Sequence, residues 1–105
     1  MAKTDLLSIR KLEKTVRGIL GPVYDKVKFD RRGKVKQAGF EVAAAGDQIE
    51  VFHWPAVAGP NGDSERNDRL ALYKRLLEDR LPTERIVMFS GSGYSPMRIF
   101  VAPRG

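Results

Sequence analysis

The sequence contains no cysteine and a single histidine, and both scarcities limit the chemistry that this protein can carry out. Without cysteine there are no disulfides, no thiolate metal ligands and no thiol nucleophile. No apolar run exceeds four residues, as at 86–89, whereas a bilayer-spanning helix needs about 20. Arg10 and Lys11 interrupt the apolar residues that begin at Leu6, so a secretory apolar region is missing. We therefore expect a cytoplasmic protein without a membrane partner.

The length and composition are those of one globular domain. A chain of 105 residues supports one hydrophobic core, so we assign residues 1–105 to a single domain. Hydrophobic residues make up 42% and charged residues 30%, which is typical of a chain that folds by itself.

The positive charge is unevenly distributed. Residues 1–36 hold eleven of the 19 lysines and arginines but only four of the 13 carboxylates, which gives this segment +7 and leaves −1 for residues 37–105. A basic block beside a nearly neutral one indicates a surface for a polyanion, although most such blocks are only solvated surface.

The basic block contains a helix and a hairpin. Apolar residues at helical spacing predict a helix from Asp5 to about Leu20, capped by Thr4 or Asp5 and ended by Gly21 and Pro22. Its exposed face carries Arg10, Lys14 and Arg17. A hairpin follows, in which residues 26–29 and 34–36 flank a turn at Arg31-Arg32-Gly33. We expect Phe29 to face Val35 across it, and Lys28 to face Lys36.

The second strand of this hairpin is predicted to continue to Ala44, with a bulge at Gly39 that resets its alternation. Gly46 and Asp47 turn the chain into a third strand at 48–55. A loop at 56–63 precedes a helix that Ser64 caps and Pro82 ends, and its exposed face pairs Glu65 with Arg69, Lys74 with Glu78, and Arg75 with Asp79. Two strands complete the chain. The fold class is α+β, in the order α-β-β-β-α-β-β, with two helices on one face of an antiparallel sheet.

Catalytic and metal-binding signals are weak, and we expect no enzyme, no catalytic residue, no cofactor and no metal. His53 is in phase with Ile49 and Val51, which favours a strand histidine that is either satisfied by hydrogen bonds or exposed at an edge, rather than a functional histidine. Asp47, Glu50 and Glu41 form the nearest carboxylate cluster, but Phe52 stands where a nuclease usually has a lysine. The glycines at 91 and 93 join two strands rather than open a helix, so they do not predict a phosphate loop. Tyr94 in the same loop is either packed or an exposed contact.

Phe52 and Trp54 lie on the strand face opposite Ile49 and Val51, and both faces cannot be exposed. Core membership of the two aromatics is the favoured interpretation, because large aromatics in small domains are usually buried. The alternative is an exposed platform for single-stranded nucleic acid beside Lys28 and Lys36.

The leading functional hypothesis is a non-enzymatic nucleic-acid-binding protein, with DNA or RNA as partner. Its predicted contacts are the basic face of the first helix, the hairpin and the two aromatics: Arg10, Lys14, Arg17, Lys28, Arg31, Arg32, Lys34, Lys36, Phe52 and Trp54. The alternative is a small interaction module or inhibitor that docks on an acidic protein. The final strand, ending at Ala102, is a possible open edge for a homodimer.

Overall fold

The computed structural model describes residues 6–89 and 97–103 and confirms a mixed α+β fold. The elements are α1 (Leu6–Leu20), β1 (Lys28–Phe29), β2 (Val35–Gln37), β3 (Gly39–Ala45), β4 (Gln48–Trp54), α2 (Pro60–Arg80), β5 (Arg85–Phe89) and β6 (Arg98–Ala102). The order is close to the predicted one. It gains a strand because the long second strand divides into β2 and β3. No helix in the described part of the chain is long and apolar enough to cross a membrane.

The main sheet has the strand order β3-β4-β6-β5, with antiparallel neighbours throughout, and β1 and β2 form a separate hairpin. Helix α1 packs on β3 and β4, and α2 packs on β4, β5 and β6. The last strand, β6, therefore lies inside the sheet, between β4 and β5. The expectation that it forms an open edge is wrong, because β3 and β5 occupy the edges.

The core lies between the two helices and one face of this sheet. Each helix contributes the stripe that its apolar spacing predicts, and the strands contribute alternate residues. The fully buried aliphatic side chains are Ile9, Val16, Leu20, Ile49, Val51, Leu70, Leu77, Ile99 and Val101. No helix in residues 6–89 and 97–103 covers the opposite face of the sheet, and we call it the open face.

The hairpin has the predicted turn but a different register. Phe29 pairs with Val35 as expected, whereas Lys28 pairs with Gln37 rather than Lys36, because the register shifts by one residue between Lys28 and Phe29. The predicted opposition of two lysines is therefore wrong. The irregularity falls inside the hairpin, where Lys36 is the extra residue.

Gly39 serves a different purpose from the predicted bulge. It opens β3 where residues 25–27 pass against the strand, and a β-carbon at this position would collide with the backbone of Asp25, Lys26 and Val27. Backbone hydrogen bonds close the same contact, from Val27 N–H to the Phe40 carbonyl (3.0 Å) and from Phe40 N–H to the Asp25 carbonyl (3.0 Å). Glycine is required here for close backbone approach.

Helix α2 begins a turn earlier than Ser64. Its first residue is Pro60, with Gly59 at the N-cap, because proline is well suited to the first helical turn, where its missing N–H costs nothing. The predicted loop at 56–63 is correspondingly shorter. The buried stripe of this helix is formed by Leu70, Tyr73 and Leu77.

Candidate nucleic-acid interface

Asp30 and Gly33 shape the turn of the basic hairpin, which we define as residues 28–37. The Asp30 Oδ1 atom accepts hydrogen bonds from the backbone N–H of Arg32 (2.8 Å) and of Lys34 (3.0 Å). Gly33 has φ of +80°, in the left-handed region that glycine adopts without strain. Its N–H donates to the Asp30 carbonyl at 3.1 Å. The turn thus holds the two arginines at the tip of the hairpin.

Every lysine and arginine of the basic hairpin is exposed to solvent: Lys28, Arg31, Arg32, Lys34 and Lys36. Among the described residues, none of these five forms an ion pair within 4.0 Å. The one carboxylate of the hairpin, Asp30, is occupied by the backbone of the turn. The hairpin therefore presents a dense group of uncompensated positive charges.

An aromatic contact fixes the hairpin to the end of the open face. The rings of Phe29 and Trp54 meet edge to face, with centroids 5.3 Å apart and planes at 83°. The Gln37 side-chain Nε2 also donates to the Lys26 carbonyl at 2.8 Å. The positive charges consequently border the end of the sheet where Trp54 lies.

The open face carries most of the chain's phenylalanines. Only Phe40 of the five lies in the core. The face displays Phe52 and Trp54 from β4, Phe100 from β6, and Phe89 from β5, whose ring centroid lies 5.9 Å from that of Phe100. Trp54 is 40% exposed and Phe89 is 44% exposed. The favoured interpretation that Phe52 and Trp54 belong to the core is therefore wrong, because Ile49 and Val51 face the helices instead.

Charged side chains lie among these rings. The Arg98 guanidinium stands 4.9 Å from the centroid of the Phe52 ring, and its Nη1 lies 3.4 Å from Oε1 of Glu50. The Trp54 indole Nε1 donates to Glu41 at 3.1 Å. The face thus combines flat apolar rings with groups that can donate and accept hydrogen bonds.

The predicted contacts on α1 lie in the helix layer, on the other side of the sheet from Phe52 and Trp54. Arg10 and Lys14 are exposed there. Arg17 is partly committed to the fold, since it donates to the Val42 carbonyl at 2.9 Å and pairs with Glu13 at 3.3 Å. The structure therefore brings the hairpin and the aromatics together, and it separates the α1 residues from the aromatic face.

A second cluster of polar groups surrounds His53, which is only 5% exposed. Its Nδ1 lies 2.8 Å from the Tyr73 hydroxyl and its Nε2 lies 2.7 Å from Oε2 of Glu65. Glu65 thus bonds His53 rather than the predicted Arg69, whereas the predicted Lys74–Glu78 pair forms at 3.0 Å. These groups line a cleft of about 390 Å³, together with Arg69 and Asp25 among others.

The cluster has the connectivity of a nucleophile, a base and an orienting carboxylate, but its histidine and its phenol are both buried. Tyr73 is 1% exposed. Burial raises the pKa of Tyr73 to about 12, with the charge of Arg69 opposing the shift. The phenol is therefore neutral and inaccessible at ordinary pH. His53 is a buried strand histidine with both ring nitrogens in hydrogen bonds.

Two of the three carboxylates in the predicted cluster already have partners. Glu41 accepts from Trp54 and Glu50 pairs with Arg98. No group of three His, Asp or Glu side chains in residues 6–89 and 97–103 could hold a metal ion. The glycines at 91 and 93, together with Tyr94, fall outside the residues that the structure describes.

Several residues of the candidate interface were not predicted from the sequence. Phe29 was assigned only to the hairpin, and Phe89, Phe100 and Arg98 were assigned only to the last strands. The alternation of those strands held a usable signal, because Val87 and Phe89 share one face of β5, and Arg98 and Phe100 share one face of β6.

The chain matches no known protein family model, no curated protein and no solved structure.

Proposed function

We propose that this protein is a non-enzymatic, cytoplasmic nucleic-acid-binding protein whose basic hairpin contacts phosphates. The observation that carries the proposal is the hairpin charge: five exposed lysines and arginines against one carboxylate, which the turn already uses. A polyanion is the partner that such a concentration of like charge attracts most strongly.

The expected mechanism is electrostatic. Lysines and arginines that neutralise phosphates release the counterions condensed on the nucleic acid, so affinity falls steeply with salt. Three to five such contacts on a duplex would reduce affinity about 40- to 500-fold between about 50 and 200 mM salt. Phosphates carry no base information, so these contacts give affinity without sequence preference.

Helix α1 has a secondary place in the proposal. Arg10 and Lys14 are exposed cations, but they lie in the helix layer rather than beside the aromatics. They raise the overall positive potential of the protein. Arg17 already donates hydrogen bonds to the Glu13 carboxylate and to the Val42 carbonyl. We therefore assign direct phosphate contact first to the hairpin.

The test is fluorescence anisotropy with labelled single-stranded DNA, duplex DNA and RNA at about 50 and 200 mM salt. A variant with Arg31→Glu, Arg32→Glu and Lys34→Glu should lose binding. The matched control, with Arg10→Glu, Lys11→Glu and Lys14→Glu, changes the net charge by the same amount on the other layer. It should retain most of the binding, because the hairpin contacts remain.

Two results would contradict the proposal. Absence of binding to all three ligands at the lower salt would exclude nucleic acid as the partner. Equal losses in the two triple variants would show that net charge, rather than the hairpin, governs binding. An acidic protein partner would be indicated instead by an affinity that survives excess nucleic acid.

A further inference from the structure

We infer that the open face binds single-stranded nucleic acid by stacking bases on its exposed aromatic side chains, next to the phosphate-binding hairpin. The inference rests on the proposed function and adds to it the class of nucleic acid. Its basis is the juxtaposition of Trp54 with the basic hairpin, and of Phe89 with Phe100 and Arg98 further across the same face.

The first step is the unusual exposure of large apolar groups on this face. Trp54, Val87 and Phe89 are each exposed by 40% or more. The hydrophobic core lies between the helices and the other face of the sheet. These three side chains lie instead on the face that neither helix covers. Large apolar side chains left exposed on one face are typical of interaction sites.

The second step is the spacing of the rings. Trp54 and Phe52 are two residues apart along β4, which places their α-carbons about 7 Å apart. Phe89 lies two strands away from β4, about 10 Å across the sheet. Four-stranded sheets that present aromatics in this way stack two or three bases of RNA.

The third step is charge. The hairpin borders the Trp54 end of the face, and Arg85 adds an exposed cation from β5, whereas Arg98 is paired with Glu50. A ligand that complements this face has flat apolar groups for the rings and negative charge for the cations. The bases and phosphates of single-stranded nucleic acid provide both. A second copy of a chain with net charge +6 has the wrong sign.

The fourth step separates a single strand from a duplex. Bases in a duplex are stacked on one another and paired, so their faces are not available to side chains on a flat sheet. Unpaired bases can stack on Trp54 and Phe89, while Glu41 and Glu50 remain within the face to accept hydrogen bonds from base amino groups.

Trp54 is the only tryptophan, so its intrinsic fluorescence reports directly on stacking. A single-stranded oligonucleotide of mixed sequence should quench Trp54 emission on binding. A duplex of the same length should bind with little quenching, because it contacts the hairpin alone. Parallel anisotropy titrations establish that each ligand is bound when the emission is read.

A variant pair locates the effect on the open face. Phe89→Ala should weaken single-strand binding about 5- to 100-fold and leave duplex binding nearly unchanged, since base stacking on an aromatic contributes on this scale. The control is Leu72→Ala, which removes an equally exposed apolar side chain from α2 and should change binding by less than about twofold. Melting curves verify that both variants fold, and the wild-type fluorescence test needs neither of them.

The outcomes distinguish this inference from the proposed function. Binding of single strands without a change in Trp54 emission, or with equal affinity for duplex, would overturn the stacking inference and leave the nucleic-acid proposal standing. Absence of all binding would overturn both. Light scattering that shows a dimer, converted to monomer by Phe89→Ala, would assign the open face to a second copy instead.

Discussion

The Tyr73 hydroxyl lies 2.8 Å from Nδ1 of His53 and joins helix α2 to strand β4 inside the core. The second nitrogen of this histidine faces the Glu65 carboxylate at 2.7 Å, and a carboxylate accepts. Nε2 therefore donates to Glu65, and the Tyr73 hydroxyl, which can donate or accept, is the hydrogen-bond partner of Nδ1. Both ring nitrogens are satisfied, so the cluster stabilises the domain.

Removal of His53 should destabilise the domain. His53→Ala leaves the buried Tyr73 hydroxyl without its partner and opens a cavity, so the free energy of unfolding should fall by about 2–4 kcal/mol. Urea denaturation followed by circular dichroism measures the change. Glu65→Gln is the control, because it keeps an acceptor near Nε2 and should cost less. A loss below about 1 kcal/mol for His53→Ala would show that the cluster contributes little.

Stability should also fall at alkaline pH because of Tyr73. Its pKa is raised from 10.0 to about 12 in the folded protein, so between these values the folded state retains a proton that the unfolded state releases. The stabilisation is complete below pH 10 and is lost as pH rises to 12, by up to roughly 3 kcal/mol. Denaturation at about pH 9.5 and 11.5 tests this. Tyr73→Phe should have a smaller dependence on pH than the wild type, and equal slopes would contradict the assignment.

Two glycines should respond in opposite directions to the same substitution. Gly39→Ala places a methyl group against the backbone of residues 25–27, and we expect a loss of about 2–3 kcal/mol or more in unfolding free energy. Gly18→Ala meets no atom within 4 Å on the exposed side of α1. It should stabilise by about 0.5–1 kcal/mol, because alanine is a better helix former.

The melting temperature should therefore lie below that of the wild type for Gly39→Ala and above it for Gly18→Ala. A neutral Gly39→Ala would mean that the contact between residues 25–27 and β3 relaxes easily.

The Phe29–Trp54 contact should matter for binding as well as for local order. Phe29→Ala removes the ring that holds the basic hairpin against the open face while leaving every charge in place. Nucleic-acid affinity should fall about 3- to 10-fold, because a freely moving hairpin loses more entropy when it is ordered on the ligand. Anisotropy measures the affinity. Val23→Ala, at another exposed apolar residue, is the control and should leave it unchanged.

The local elements of this protein follow closely from its sequence. The apolar spacing of α1, the glycine and proline that end it, the Asp30–Gly33 turn and the alternation of β4 each depend on neighbours within a few residues. His53 shares a strand face with Ile49 and Val51, as its phase predicts. Such features are predictable because propensity and periodicity act over one or two turns of chain.

The sequence alone left the candidate interface undecided. Strand β4 has apolar residues on both faces, with Ile49 and Val51 on one and Phe52 and Trp54 on the other. The local sequence does not show which of these faces the helices cover. The bond from Glu65 to His53 depends likewise on a partner in another element.

The sequence by itself determined the types and approximate bounds of the elements, and it determined where the positive charge is concentrated. Only the tertiary structure decided which sheet face the helices cover, that β6 is inserted between β4 and β5, and that Phe29 brings the basic hairpin to Trp54. The physical reason is that burial and strand pairing join residues far apart in the chain, so they select among patterns that local sequence leaves equally favourable.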